Sequence, residues 1–415
     1  MTLPDLRLLL AAQGVSTAGT GFSVIALSFY LSRHGPVVIS LVVLAEFVPS
    51  ILLAGTFGKL VDRYPNRRLV VVGLLGQAAA TVLLIAAVEN YHLVLPLALI
   101  VGAGGALAQP AVHALLPRIS GETNATKAYS HSATVTVAAG LTGQILGGVA
   151  LTAMGIKVAL LVDALSFFVA AGLMAAIATD RRPGESTSPD GAPGQRPRSG
   201  WATLLRHRLL AASVLLNAVS VGTVLLINVS NVFFVTQTLR GDSRLLAALS
   251  VSWGIGLVAG ARLAGTARLG PRIPAAMWGA TLLLGCAVAG AGLIAKTVPV
   301  LLLWFVGGAA TGTVGVASRA LIRQHVEDSK RGRVFAAASA AVSTVSVAAI
   351  ITGGQLVQAV GPRLANLGIG TGTVIVAGLL GLVILVRRQR SGGPDNTELP
   401  ASRSPHDDRK TGALR

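Results

Sequence analysis

Residues 67–118 read RRLVVVGLLGQAAATVLLIAAVENYHLVLPLALIVGAGGALAQPAVHALLPR. Charge-free runs occupy 69–88 and 90–117, parted by Glu89 and bounded by Arg67, Arg68 and Arg118. A helix crossing roughly 30 Å of hydrocarbon needs about 20 apolar residues at 1.5 Å rise each. The stretch therefore reads as two consecutive membrane spans, with basic ends on one side and a lone acid at the turn.

The same reading extends along the chain. Further runs without Lys, Arg, Asp or Glu cover 8–32, 128–156, 209–239, 273–295, 297–318, 334–362 and 364–386. Three apolar stretches are shorter or interrupted: 38–58 contains Glu46, 158–179 contains Asp163, and 245–261 ends at Arg262. Together these predict twelve spans in an all-α integral membrane protein. Of 415 residues, 53% are hydrophobic and 12% charged, about half the charged share of a soluble domain. The formal charge of +18 would suit a nucleic-acid binder, but the hydropathy excludes one. The first run is too long for a cleaved leader, lacks a basic lead-in and runs straight into another span. Cys286, the single cysteine, lies in an apolar run and suggests neither redox nor metal chemistry.

The basic residues orient the spans. With a cytoplasmic N-terminus, only Arg33, Lys157, Arg240, Arg244, Lys296 and Arg363 face outward, leaving 28 of 34 inside. This positive-inside bias predicts a multi-pass protein of the cell (inner) membrane with both termini cytoplasmic. The loop 180–208 is rich in Pro, Gly, Ser and charge and reads as a cytoplasmic linker, its end from Trp201 forming a short amphipathic surface helix. It divides six spans in 1–179 from six in 209–390, an arrangement expected from duplication. The polar tail 391–415 reads as disordered. Many of the 49 glycines lie inside spans, as in GLTGQILGG at 140–148 and GGAATGTVG at 307–315. Small residues let helices approach closely in lipid, which serves static packing and sliding faces equally.

Between spans 2 and 3 stands Gly58-Lys-Leu-Val-Asp62-Arg63-Tyr-Pro-Asn-Arg67-Arg68. It resembles the G-x-x-x-D-R-x-G-R-R/K signature of the major facilitator superfamily, with Asn66 where glycine is usual. Segments 111–132, 161–171 and 325–335 are similar to connections and spans of that superfamily's drug, macrolide and siderophore exporters. The resemblance implies two pseudo-symmetric six-helix bundles. It also implies a cytoplasmic latch at Gly58, Asp62, Arg63, Arg67 and Arg68, with Arg331 and Arg333 in the second half's basic cluster. Gly143, Gly147 and Gly148 match a G-P-x-x-G-G helix-packing element associated with antiporters, but Gln144 replaces its proline. On span 1, Thr20 stands where relatives often carry an acid, and Ala264 replaces the acid in the second copy of the loop signature.

Ionisable groups inside a membrane are costly and call for explanation. Glu46, about nine residues into span 2, is a candidate proton carrier, a partner for a cationic substrate, or a structural hydrogen-bonding group. Asp163 is a second proton-coupling candidate, with part of its role an interfacial helix-end contact. Candidate cavity residues are Gln13, Ser23 and Tyr30 on span 1, Glu46 on span 2, Asn217, Asn228, Asn231 and Phe234 on and near span 7, Trp253 on span 8 and Trp304 on span 10. Such a cavity suits bulky amphiphilic or cationic compounds. No nucleotide-binding loop, metal-ligand spacing or nucleophile–base set is present, so the chain reads as a non-enzyme. It needs no cofactor, ATPase subunit or nucleic acid, and is expected to act as a monomer among membrane lipids. An ion gradient, in first place protons, remains as the energy source. The leading expectation is a secondary active exporter working by alternating access. The alternative is a facilitator or importer of a metabolite or metal chelate; a scaffold or sensor is third.

Overall fold

The computed structural model describes residues 3–121, 124–179, 198–266, 272–326 and 328–390. Helices dominate them, because in hydrocarbon every backbone N–H and C=O must find a partner within its own segment. Among the described residues ten helices are long and apolar enough to cross a membrane, and the bent pair Pro36–Leu52 and Ala54–Arg63 makes an eleventh crossing. In chain order span 1 is Pro4–His34, span 2 the bent pair, span 3 Asn66–Ala87, span 4 His92–Ser120, span 5 Lys127–Leu151 and span 6 Ala153–Ala175. Span 7 is Arg208–Thr238, span 8 Ser243–Thr266, span 9 Ile273–Ile294 and span 10 Thr297–His325. Val334–Gly381 is 48 residues long, about twice a bilayer's requirement. Gly361, at φ +78°, divides it into two spans, which brings the crossings among the described residues to twelve. Gly155, at φ +75°, makes the same reversal between spans 5 and 6. Only glycine adopts this backbone without a Cβ penalty. In span 2, Pro49 lacks the N–H that would bond one turn back, and the helix breaks at Leu53 with a 55° bend.

The two halves repeat in detail. Gly102, Gly148, Gly155 and Lys157 recur 206 residues later as Gly308, Gly354, Gly361 and Arg363. Lys157 Nζ lies 3.0 Å from Glu89 Oε1 at the end of span 3. Arg363 does the corresponding work at the end of span 9, where Nε donates to Gly292 O at 2.9 Å and Nη2 to Leu293 O at 3.0 Å. The Lys157 hydrogen bond holds the Glu89 carboxyl below the usual carboxylate range. Both partners are largely exposed, so the pair contributes little stability.

The core shows how the halves meet. On the face opposite the N-terminus, called here the far face, one continuous cluster joins Ile25, Leu31 and Ile39 of the first half to Phe233, Leu249 and Val357 of the second. On the terminal face the core is divided. Leu9, Leu115 and Met174 pack within the first half, whereas Met277 and Val314, and separately Leu210 and Val334, pack within the second. The halves therefore join on the far face and part on the terminal face.

Two equivalent glycines make the far-face junction. A Cβ on Gly148 would stand 2.8 Å from Ser243 O, and one on Gly354 would stand 2.8 Å from Pro36 O. Ser243 Oγ also donates to Gly148 O at 2.7 Å. The linker helix Arg198–Arg206 packs on the second half through Leu204. Residues 180–197 of the expected linker and the tail 391–415 lie outside the described residues.

Gly143 and Gly147 seat span 5 against the backbone of Ala18 and Phe22 on span 1, where any Cβ would overlap a carbonyl oxygen. Gly143→Leu and Gly147→Leu should each cost about 1–3 kcal/mol or more. Each should lower the melting temperature of the purified protein. Gly172→Ala, with open space beside it, serves as the unchanged control.

Candidate functional site

Among the described residues, Glu46 and Asp163 are carboxylates set well inside the spans. The backbone of Glu46 rests on Gly102 of span 4, where no Cβ would fit. Its side chain is more than a third exposed, and an acid at this depth in a span calls for a functional explanation.

Asp163 is 5% exposed and belongs to span 6. Its Oδ2 accepts from Ser23 Oγ at 2.6 Å, and its Oδ1 has a weak contact with Thr20 Oγ1 at 3.5 Å. Gly19 leaves the room that Ser166 occupies beside this pair. The expected helix-end role for Asp163 is thereby corrected: Lys157 engages Glu89, and Asp163 is buried against span 1. Thr20, noted above for lacking an acid, meets one delivered from span 6.

A second feature lies between the halves. A cavity of about 310 Å³ is bounded by spans 5, 7, 8 and 10, near the lower end of ligand-site sizes. Asn228, Asn231, Trp253 and Trp304 line it, as does Gln144. Trp304 is parallel to Phe234 behind it at 6.1 Å between ring centroids, and Trp253 meets it edge-on at 6.3 Å and 70°. Gly307 seats the Trp253 ring, since a Cβ there would lie 2.6 Å from Cζ3. Ser252 Oγ donates to Leu301 O at 2.7 Å and pins span 8 to span 10 beneath the rings.

The other cavity candidates lie elsewhere. Tyr30 packs at the far face under the Arg33 guanidinium, 3.6 Å from its ring centre. Ser23 is committed to Asp163. Gln13 accepts from Ser132 Oγ at 2.7 Å and ties span 1 to span 5. Asn217 is half-buried about three turns nearer the terminal face than Asn228. Phe234 is fully buried and supports Trp304 without lining the space. Gln144 was legible only as a departure from a motif; an amide in a run of small residues was the available signal.

At the terminal face, Asp62, Arg63 and Arg68 are exposed, and Gly58 has open space beside its Cα. Arg67 instead donates to Ile177 O at the end of span 6. Asp5 caps that same end, accepting from Thr179 N at 2.9 Å and from Thr179 Oγ1 at 2.5 Å. Spans 1, 3 and 6 are thus tied by two groups, of which Asp5 was not singled out by the sequence. The side chains of Arg331 and Arg333 lie outside the described residues.

Comparison with known proteins agrees with this architecture. The sequence profile described as Major Facilitator Superfamily matches residues 9–293 and 265–410. An uncharacterized MFS-type transporter, YfiS of Bacillus subtilis (strain 168), is 27% identical over 389 residues, covering 91% of this chain and 92% of that protein. A point-mutated nucleoside transporter NupG superposes with a TM-score of 0.76 at 12% identity, over 91% of this chain and 99% of that one. A bacterial homolog of the human lysosomal transporter Spinster, inward-facing and unoccupied, gives 0.71 at 14% identity, over 92% and 97%. At such identities the structural likeness speaks for the fold alone.

Asp5→Ala removes the acceptor of the Thr179 backbone N–H and hydroxyl and should destabilise the first half by about 1–3 kcal/mol; Thr179→Val removes only the hydroxyl bond and should cost less. The double variant should lose clearly less than the two single losses combined. Thermal unfolding of the four proteins in a double-mutant cycle measures this.

Proposed function

The chain belongs to the Major Facilitator Superfamily, and we propose that within it the protein is a secondary active exporter of small amphiphilic molecules, coupled to protons through Glu46 and Asp163. It is a multi-pass membrane transporter whose neighbours in fold move solutes of several kinds, so the exporter assignment rests on this chain's own features.

The observation that carries the reading is the divided core. Two halves joined on one face and parted on the other, with a cavity between them, are one of the two states that alternating access requires. The distribution of basic residues supports a cytoplasmic terminal face, so this state opens inward, toward the cytoplasm and inner leaflet. Asp62 and Arg63 are exposed in it, and Gly58 has open space beside it; in the outward-open state they would close against neighbouring helix ends as a latch.

Coupling follows from the carboxylates. Glu46 is exposed on span 2, and Asp163 is buried against span 1. Carboxylates within spans mark proton pathways, and these two are the candidates for carrying the coupled proton. Protonation from outside favours release of substrate and return. Loss of the proton inside resets the cycle. No step uses ATP, in keeping with the absence of a nucleotide-binding loop.

Glu46→Gln should abolish efflux driven by an imposed pH gradient in proteoliposomes while leaving substrate counterflow within about threefold of wild type. Gradient-driven efflux that persists unchanged would contradict the proton-coupling role. Counterflow with no response to a pH gradient in the wild type would favour a facilitator instead.

A further inference from the structure

The cavity between the halves has a chemistry that proton coupling does not explain. Among the described residues no Lys, Arg, His, Asp or Glu lines it, and Glu46 and Asp163 belong to other spans of the first half. Its polar groups are hydroxyls and the amides of Gln144, Asn228 and Asn231. Asn228 and Asn231 are three residues apart and share one face of span 7. Gln144 approaches from span 5 of the other half, so the amides converge across the junction.

One of these groups lacks a partner. Asn231 is 9% exposed, and its Oδ1 accepts no hydrogen bond. A buried amide oxygen left unmatched is costly, more so where lipid surrounds the bundle. A donor on a bound solute would satisfy it. The opposite wall is aromatic and held rigid: Trp304 lies against Phe234, Trp253 stands at 70° to it, and Gly307 keeps the Trp253 ring from being pushed into the space. Trp304 is fully buried and braces Trp253, whose partly exposed indole is left as the surface on which a flat ring can stack.

We propose that this cavity selects a neutral, flat aromatic solute bearing an amide-like edge, one donor beside one acceptor. The edge pairs with Gln144 and Asn231, whose carboxamides offer both N–H and C=O, and the ring stacks on Trp253, with the buried Trp304 as its backing. A permanent cation would bring its charge into a cavity with no counter-charge and lose its hydration. The inference rests on the transporter reading and narrows its substrate class from amphiphilic or cationic to neutral. Exchange of a neutral solute for an inward proton moves net charge, so such transport responds to membrane potential as well as to the pH gradient.

Two probes of equal ring size separate the possibilities: phenanthridinone, a neutral lactam, and N-methylphenanthridinium, a permanent cation. Equilibrium dialysis with the purified full chain should give saturable lactam binding at least about tenfold tighter than the cation's. Gln144→Leu and Asn228→Leu change accessible cavity groups, and folding of each is checked by its melting temperature. Gln144→Leu should weaken the lactam about tenfold and the cation less than twofold. A cation bound as tightly as the lactam, absent saturable lactam binding, or a folded Gln144→Leu with unaltered lactam affinity would overturn the proposal. Binding is read here without transport. A chain that binds the lactam yet moves no solute in proteoliposomes supports this site and contradicts the transporter reading.

Discussion

The architecture depends on backbone contacts made where a glycine has no Cβ. Lipid tails are as apolar as leucine, so no hydrophobic effect presses the spans together; close van der Waals approach does. Gly143 and Gly147 lie under the carbonyls of Ala18 and Phe22, while Gly308 and Gly312 lie under those of Trp253 and Leu257. Carbonyl oxygens at this range also meet Cα–H groups, a weak but repeated attraction. The two halves use these seats unequally. The first concentrates them between spans 1 and 5, the second between spans 8 and 10, although the glycine positions themselves recur at a common spacing. The tight pairs are internal to each half. Between the halves, Gly148 and Gly354 make the equivalent contacts, and both are at the far face. Halves that are rigid within and joined at one end are suited to rocking.

Charge and recognition are kept apart on this frame. The buried acids belong to the first half, with Asp163 of span 6 reaching the hydroxyls of span 1. The aromatic and amide groups surround an uncharged space at the junction. Under the proposed mechanism a proton would act on the solute by changing which face is open, not by touching it. Span 5 is the physical link: it packs on span 1 through Gly143 and Gly147, contributes Gln144 to the cavity, and meets span 8 at Gly148. One helix therefore touches the coupling half, the cavity and the far-face junction.

The spans were legible because twenty apolar residues between basic ends have few other readings, and the reversals at Gly155 and Gly361 fall where the charge-free runs break. Side-chain directions were far less so. In a soluble helix, polarity alternates with the helical period and marks the buried face. Here the lipid face and the packed face are both apolar, so the sequence of span 1 does not distinguish Tyr30 at the far face from Ser23 at Asp163. Partners distant in sequence were hidden for the same reason. Asp163 meets Ser23 140 residues away, and Asp5 meets Thr179 174 residues away, with no local pattern to announce either. Gln144 stood out only against a motif, while Asn228, Asn231, Trp253 and Trp304 were polar or broad enough to be noticed within apolar runs.

Opposed motion at the two ends of one inter-half contact is the most direct measure of the whole account. In a Cys286→Ser background, spin labels at Met154 and Arg244 report the far ends of spans 5 and 8, and labels at Lys127 and Thr266 report their terminal ends. Double electron–electron resonance in lipid should give a short far distance with a long terminal one. Acidification should raise a second population in which the order is reversed. Distance distributions that stay fixed at both ends across pH and added solute would contradict alternating access in this chain.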